Sequence, residues 1–289
     1  MNLLVVTPIH NEAGNIGILA EQMLRSSLKP KCWVIVDDGS SDNGSEIAAG
    51  YQSSLPITIL NRSNNGGLIG GSAFKAWQHG VDYALTTNAQ FTHVMKLDAD
   101  VNLPENYLAQ ALEEFDREPQ IGLVGGVLVG KRDREQTVHV PGPVKMYSIA
   151  AMAALEDVPR AVGFDVMDEV RLKYAGLSVV VRKDLPFTVR RAIGASQGLV
   201  HGRRRNGQVC KWTGYWPPYF LLHALRYTFR RPFGIGAAAM VGGYLQADSG
   251  PYEEHLRVAH RDEQKIKLKN AISSPRRWVK STYGMDDNG

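Results

Sequence analysis

The feature that most constrains the fold is an alternation. Short apolar runs at 3–7, 33–36, 57–60 and 92–97 are separated by stretches with helical spacing. In 15–27, for example, Ile16, Leu19, Ala20, Met23 and Leu24 recur every three or four residues. Strands that alternate with helices need crossover connections, which impose a largely parallel sheet covered by helices on both faces. Ligands of such sheets gather at the carboxyl ends of the strands. Here those ends carry Pro8 and Glu12 after the first run, Asp37 and Asp38 after the second, and Asp98 and Asp100 after the fourth. Three acidic strand ends on one sheet predict one site.

The fourth run is Val94-Met95-Lys96-Leu97-Asp98-Ala99-Asp100. Alternation along a strand puts Asp98 and Asp100 on one side, where the two carboxylates repel unless a cation lies between them. A hard divalent cation suits that pair, and Mg²⁺ typically joins one or two carboxylates to substrate phosphates. An isolated Asp-x-Asp is more often a polar turn. Its place in line with Glu12 and Asp38 favours the metal reading.

Ser41 or Asp42 is expected to cap a helix running to about Gly50. The glycine-rich loop 64–71 lacks the Gly-Lys-Ser/Thr of a phosphate loop and does not follow the first strand. It is either a tight packing loop or a place where backbone approaches a nucleotide. Helices are expected at 72–85 and 104–117, the latter with Pro104 in its first turn. A strand at 121–129, an irregular loop at 131–144 and a short helix at 148–155 follow. Asp165, Asp168 and Glu169 then cluster near the start of a helix that Gly176 stops, before a strand at 178–181. Capping would explain one or two of these acids.

Two cysteines, Cys32 and Cys210, lie far apart, which argues against a disulfide scaffold or zinc site and fits a reducing compartment. The amino terminus reads as a first strand, not a signal peptide, and no apolar run is long enough to predict a spanning helix. The net charge is only +4, yet nine Arg or Lys residues and no Asp or Glu lie between Arg190 and Arg231. This stretch suits an anionic substrate, a pyrophosphate or an anionic lipid surface. Aromatics at 212–222 and the small apolar run 233–245 flank Arg226, Arg230 and Arg231. They fit either a core with snorkelling arginines or a helix lying in a membrane interface. Apolar interruptions and low overall charge argue against a nucleic-acid partner. The last forty residues are expected to form an exposed helix and a frayed tail.

Together, Thr7-Pro8-Ile9-His10-Asn11-Glu12, Val36-Asp37-Asp38-Gly39-Ser40-Ser41-Asp42, the Asn65-Gly66-Gly67 to Gly70-Gly71 loop and Lys96-Leu97-Asp98-Ala99-Asp100 resemble inverting family 2 glycosyltransferases of the GT-A fold. The resemblance covers roughly 1–200. It implies a Rossmann-like, mostly parallel α/β sheet as a catalytic domain, 1–200, and leaves 201–289 as a basic, aromatic, largely helical extension that is membrane-associated or oligomerising. It implies a nucleotide-diphosphate sugar donor, a glycan or lipid-linked glycan acceptor, and a role in cell-surface polysaccharide synthesis. The expected location is cytoplasmic, peripheral at the inner face of the membrane. Pro8, Glu12 and Asp38, with Asp37, would hold the nucleoside, and Gly67, Gly71 and Arg191 would also line the donor. Asp98 and Asp100 would meet ribose-pyrophosphate and Mg²⁺ or Mn²⁺, Asp100 being the stronger metal ligand.

The family's catalytic Asp sits in a Glu-Asp pair six residues before Arg-Leu. Counting back from Arg171-Leu172 gives Asp165, with Phe164 in place of the Glu. Asp168-Glu169 is the competing pair and resembles a subgroup's Trp-Asp-x-x-Asp-Glu. Arg191 and Gly194 resemble that subgroup's His-Arg-x-x-Gly, with Arg190 where the His would be. His139 and His201 are further candidates to assist. Two other functions remain open from the residues: a non-catalytic nucleotide- or membrane-binding module, and a sugar nucleotidyltransferase. The second would need a glycine-rich loop with a catalytic basic residue after the first strand, which His10-Asn11-Glu12 does not supply.

Overall fold

The structure, a computed structural model, describes residues 2–63, 71–87, 90–130, 139–190, 199–228 and 233–275. The chain packs as two compact units, Met1–Ala161 with Ala175–Arg190, and Val162–Tyr174 with Arg191–Gly289.

The first unit runs β1 (Leu3–Ile9), α1 (Ala13–Arg25), β2 (Cys32–Asp37), α2 (Gly44–Ala49), β3 (Ile57–Asn61), α3 (Ser72–Thr86), β4 (His93–Leu97), β5 (Val101–Asn102), α4 (Tyr107–Phe115), β6 (Ile121–Leu128), β7 (Val144–Ser148) and α5 (Ile149–Ala154). After α6 (Phe164–Tyr174), which belongs to the second unit, it closes with β8 (Ser178–Val189). The strands order as β3-β2-β1-β4-β7-β6-β8-β5. The half from β3 to β4 is parallel, as the alternation of strands and helices requires.

The strand parity explains the layers. Leu3, Val5 and Ile9 of β1, Trp33 and Ile35 of β2, and Met95 and Leu97 of β4 share one core with Ile16 and Leu19 of α1 and Leu108 and Leu112 of α4. The alternate residues Val6, Val34 and Val36 face α3. There Gly80 allows close approach, since a Cβ on it would lie 2.6 Å from Val6 Cγ1 and 2.8 Å from Val36 Cγ2. Each fully buried aliphatic side chain contributes roughly 1.5–3 kcal/mol. The Trp33 indole is satisfied by donating to Thr7 Oγ1 at 2.9 Å.

Several local expectations are corrected. Val144, placed in an irregular loop by sequence, begins β7, which pairs antiparallel with β4 and β6. Its five residues follow Pro141-Gly142-Pro143 and include a buried Lys145, so no periodic signal marks it. β8 extends to Val189, well past 181. Its pairing with β6 jumps from Gly125–Val181 to Val127–Pro186, a bulge held by Arg182, which donates to Asp184 Oδ1 at 2.7 Å and Glu114 Oε2 at 2.7 Å. Pro104 precedes α4, whose cap residue is Asn106. The cap position of α2 is Asn43, whose side chain makes no capping bond; Asp42 serves both helices, its Oδ1 accepting from the Gly44 N–H at the start of α2 at 3.1 Å and its Oδ2 from the Ala13 N–H at the start of α1 at 2.8 Å.

The second unit is helical: α6, α7 (Leu199–Trp212), α8 (Pro217–Leu225), α9 (Ile235–Gln246) and α10 (Glu254–Ser273). α7 and α9 meet backbone to backbone, for a Cβ on Gly207 would fall 1.8 Å from Met240 O and one on Gly243 1.9 Å from Arg204 O. α10 is not simply exposed: Leu256, His260 and Gln264 repeat every four residues as a buried stripe. Gln264 accepts from the Trp216 N–H at 2.8 Å. Among the described residues no helix is long and apolar enough to cross a membrane.

Candidate active site

The site grows from three adjacent parallel strands, β2, β1 and β4, and the loops that leave their carboxyl ends. Asn11 turns the chain after β1 in the left-handed region, φ 56°, which Asn tolerates better than most residues. It is fixed there by bonds to the next loop. Its N–H donates to Ser40 Oγ at 3.0 Å, and its Oδ1 accepts from the Ser41 N–H at 2.8 Å. Pro8 pairs with Val36 in the sheet. Glu12 then opens α1, its carbonyl accepting from the Asn15 and Ile16 N–H groups at 2.8 and 2.9 Å and its Oε2 from Asn15 Nδ2 at 2.7 Å.

Asp37 and Asp38 sit side by side but do different things. Asp37 accepts from the Ser40 N–H at 2.8 Å and from the Ser45 hydroxyl. Burial opposes its charge, but these bonds outweigh burial and hold the carboxyl below the usual carboxylate range. Asp37 therefore braces the loop. Asp38, 4% exposed, accepts from Arg62 Nη1 at 3.2 Å and from the Ser72 hydroxyl at the start of α3, next to the cap residue Gly71.

Asp98 and Asp100 lie just past β4, in the turn leading into β5. Both are half-exposed, and Ala99 between them is buried. Lys96 Nζ is buried and donates to the Asp98 carboxylate and to Gly142 O, the latter at 2.9 Å. The cation that offsets the charge of Asp98 is thus built into the strand two residues upstream.

The turn is held from outside by Arg190, at the end of the first unit. All five guanidinium donors are used. Nε donates to Asn15 Oδ1 at 2.8 Å, Nη1 to Val101 O at 3.1 Å and to Asn102 Oδ1, and Nη2 to Ala99 O at 2.7 Å and Asn15 O at 3.3 Å. Its own N–H donates to Asp100 O at 2.8 Å. Burial pulls its pKa down while Asp100 and Glu12 act the other way. Arg190 and Asn15 thereby tie the Glu12 loop to the Asp98–Asp100 turn.

In the second unit, Gly163 (φ 91°) lets the chain enter α6. Asp165 is half-buried in its first turn, whereas Asp168 and Glu169 are 0% and 1% exposed. Asp168 Oδ1 accepts from the Glu169 N–H at 2.7 Å. His201 is exposed on α7, and His139 lies in the first unit. Gly67, Arg191 and Gly194, with most of the glycine-rich loop, lie outside the described residues.

Among the described residues no group of three or more His, Cys, Asp or Glu could hold a metal by itself. The oxygen donors of Asp98 and Asp100 fit a hard cation that takes its other ligands from phosphates and water. Sequence reasoning missed Lys96, Arg62, Ser72 and Asn15, and it noted Arg190 only as the residue in place of a motif His, without its bracing role. Lys96 had a signal, since it shares a strand face with Asp98. For Arg190 the motif position gave no hint of its partners, which are all remote in sequence.

No curated protein matches the chain in sequence. Solved structures do resemble it. A mannosyltransferase of Pyrobaculum calidifontis, solved with GDP-Man and Mn²⁺, aligns over 97% of this chain and 84% of that one, with 21% identity and a TM-score of 0.58. The S. aureus TarS fragment 1–349 with UDP-GlcNAc aligns over 97% and 79%, with 16% identity and a TM-score of 0.54. Glucosyl-3-phosphoglycerate synthase of Mycobacterium tuberculosis, with Mn²⁺, UDP and glucosyl-3-phosphoglycerate, aligns over 72% and 78%, with 14% identity and a TM-score of 0.53. Such distant likenesses establish the GT-A fold. The profile of Glycosyl transferase family 2 matches residues 4–164, the stretch that carries Glu12, Asp38, Asp98 and Asp100, and the chain belongs to that family.

Proposed function

We propose that this glycosyltransferase is a metal-dependent, inverting enzyme. It would move a sugar from a nucleotide-diphosphate donor to the hydroxyl of a glycan or lipid-linked glycan in cell-surface polysaccharide synthesis. The observation that carries the reading is the line of Glu12, Asp38 and Asp98–Asp100 at the ends of three neighbouring parallel strands. Mn²⁺ in two of the resembling structures supports a divalent cofactor, Mn²⁺ or Mg²⁺. Pro8, Glu12 and Asp38 would hold the nucleoside, with Asp37 bracing their loop. Gly67, Gly71 and Arg191 would line the donor.

Asp100 would be the principal metal ligand, with Asp98, already countered by Lys96, beside the ribose and diphosphate. The bound cation would neutralise charge on the leaving diphosphate. In the single displacement the acceptor oxygen bonds to the anomeric carbon as the bond to the diphosphate oxygen breaks, and the hydroxyl proton passes to a carboxylate. Of the three acids on α6, Asp165 keeps exposed surface and is assigned as that base. Asp168 and Glu169 are buried.

The test screens UDP-, GDP- and dTDP-sugars with and without Mn²⁺. Asp100→Ala should lose Mn²⁺-dependent donor binding and turnover by at least about 10²-fold. Asp165→Asn should lose about 10²–10⁴-fold in kcat with donor binding kept. Donor binding indifferent to both chelator and Asp100→Ala would reject the metal assignment. The enzyme is further proposed to work in the cytoplasm at the anionic inner face of the membrane.

A further inference from the structure

The second unit presents a surface that fits no water-facing role. α8 and α9 contain no Asp, Glu, Lys or Arg, yet each lies partly open to solvent. On α8, Leu221, Leu222 and Leu225 are 57%, 50% and 56% exposed. On α9, Ile235 and Leu245 are 59% and 74% exposed, and Phe233 just before it 65%. Pro218, Leu221 and Leu225 of one helix and Ala237 and Val241 of the other line a groove of about 580 Å³, in which Thr228 is the polar side chain. Contiguous exposed apolar surface of this kind marks a binding face.

Cations rim this face. Arg226 follows α8 and is exposed. Arg203 of α7 stacks over the Tyr227 ring at 4.0 Å, and Arg204 of α7 donates to Gln246 at the end of α9 at 2.5 Å. No acidic residue occurs in sequence between Asp184 and Asp248. A two-fold pairing of this face would set basic rim against basic rim. The helices, 9 and 12 residues long, reach only about 14 and 18 Å at about 1.5 Å per residue, too short for a hydrocarbon core of about 30 Å.

We infer that the α8–α9 face is an interfacial docking surface for an anionic lipid bilayer, its leucines entering the headgroup–acyl boundary and its rim arginines meeting lipid phosphates. The inference gives a residue-level basis to the membrane location proposed above and does not depend on sugar transfer.

The full chain should co-sediment with phosphatidylcholine–phosphatidylglycerol vesicles at low salt, weakly with phosphatidylcholine alone, and release as salt rises. Leu221→Asp/Leu225→Asp should weaken binding on the order of a hundredfold, and Arg226→Glu on the order of tenfold. Because these side chains are exposed, melting temperature should hold, which separates lost binding from misfolding. Asp100→Ala should bind vesicles like the parent protein, so a failed transferase assay leaves this result standing. Protein staying in the supernatant at low salt, binding that ignores lipid charge, or binding untouched by the double leucine variant would each overturn the inference. So would sedimentation velocity showing a dimer that the leucine variant dissociates, since the face would then serve a second copy.

Discussion

Arg190 gives the sharpest prediction, because its five bonds are concentrated on the turn that carries Asp98 and Asp100. Arg190→Ala removes three bonds to main-chain carbonyls and two to the amides of Asn15 and Asn102. A net bond to a charged donor is worth about 1.5–3 kcal/mol when fully desolvated. Arg190 is half-buried and water will replace part of the set, so the expected loss is about 2–4 kcal/mol of stability. The second consequence is geometric. Freed from Arg190, the 99–102 turn and Asn15 no longer hold each other, and a shift of about 1 Å in a metal ligand can cost about 10²-fold in rate.

Arg190→Lys keeps the charge but has three donors and no planar fork. It should recover most of the stability and little of the rate. The assay pairs urea unfolding with Mn²⁺ titration of nucleotide binding and with kcat and KM, all at a temperature where each variant is folded. A weakened apparent Mn²⁺ affinity in both variants is the expected signature of positioning. If Arg190→Ala lowers stability but leaves Mn²⁺ affinity and kcat within about twofold of the parent, Arg190 is a brace alone and the reasoning fails.

Two further predictions concern the second unit. Burial, then the nearby Arg226 and Arg203, lower the His223 pKa to about 4, so the folded state resists a proton that the unfolded chain accepts near pH 6.5. Stability should therefore be full above pH 6.5 and fall by up to about 2–3 kcal/mol as pH drops towards 4; urea titrations should show His223→Gln flattening that slope. Gly207→Ala would drive a methyl to within 1.8 Å of Met240 O, where backbone cannot yield. It should cost about 3 kcal/mol or more, seen as a lower melting temperature, while Gly242→Ala, with open space around it, should be nearly neutral.

How much was legible follows from range. Apolar periodicity is local, and it located β1 to β4 and the helices between them. The rule that ligands gather at the carboxyl ends of parallel strands then singled out Glu12, Asp38, Asp98 and Asp100 before any geometry was known. The sheet's other half was less legible. β7 is short and carries a buried Lys145, and β8 is interrupted by the Arg182–Asp184 bulge, so pairing partners, not periodicity, make them strands.

The same division holds for individual side chains. Sequence alone determined that the chain would form a parallel α/β sheet with acids at its strand ends, because side-chain alternation and crossover geometry leave little choice. Only the tertiary structure decided which acids are spoken for. Asp37 is consumed by Ser40 and Ser45, Asp98 is countered by Lys96, and Asp168 and Glu169 are sealed while Asp165 is not. Burial and hydrogen bonding depend on what packs against a group, and in the case of Arg190 the partners are up to 175 residues away.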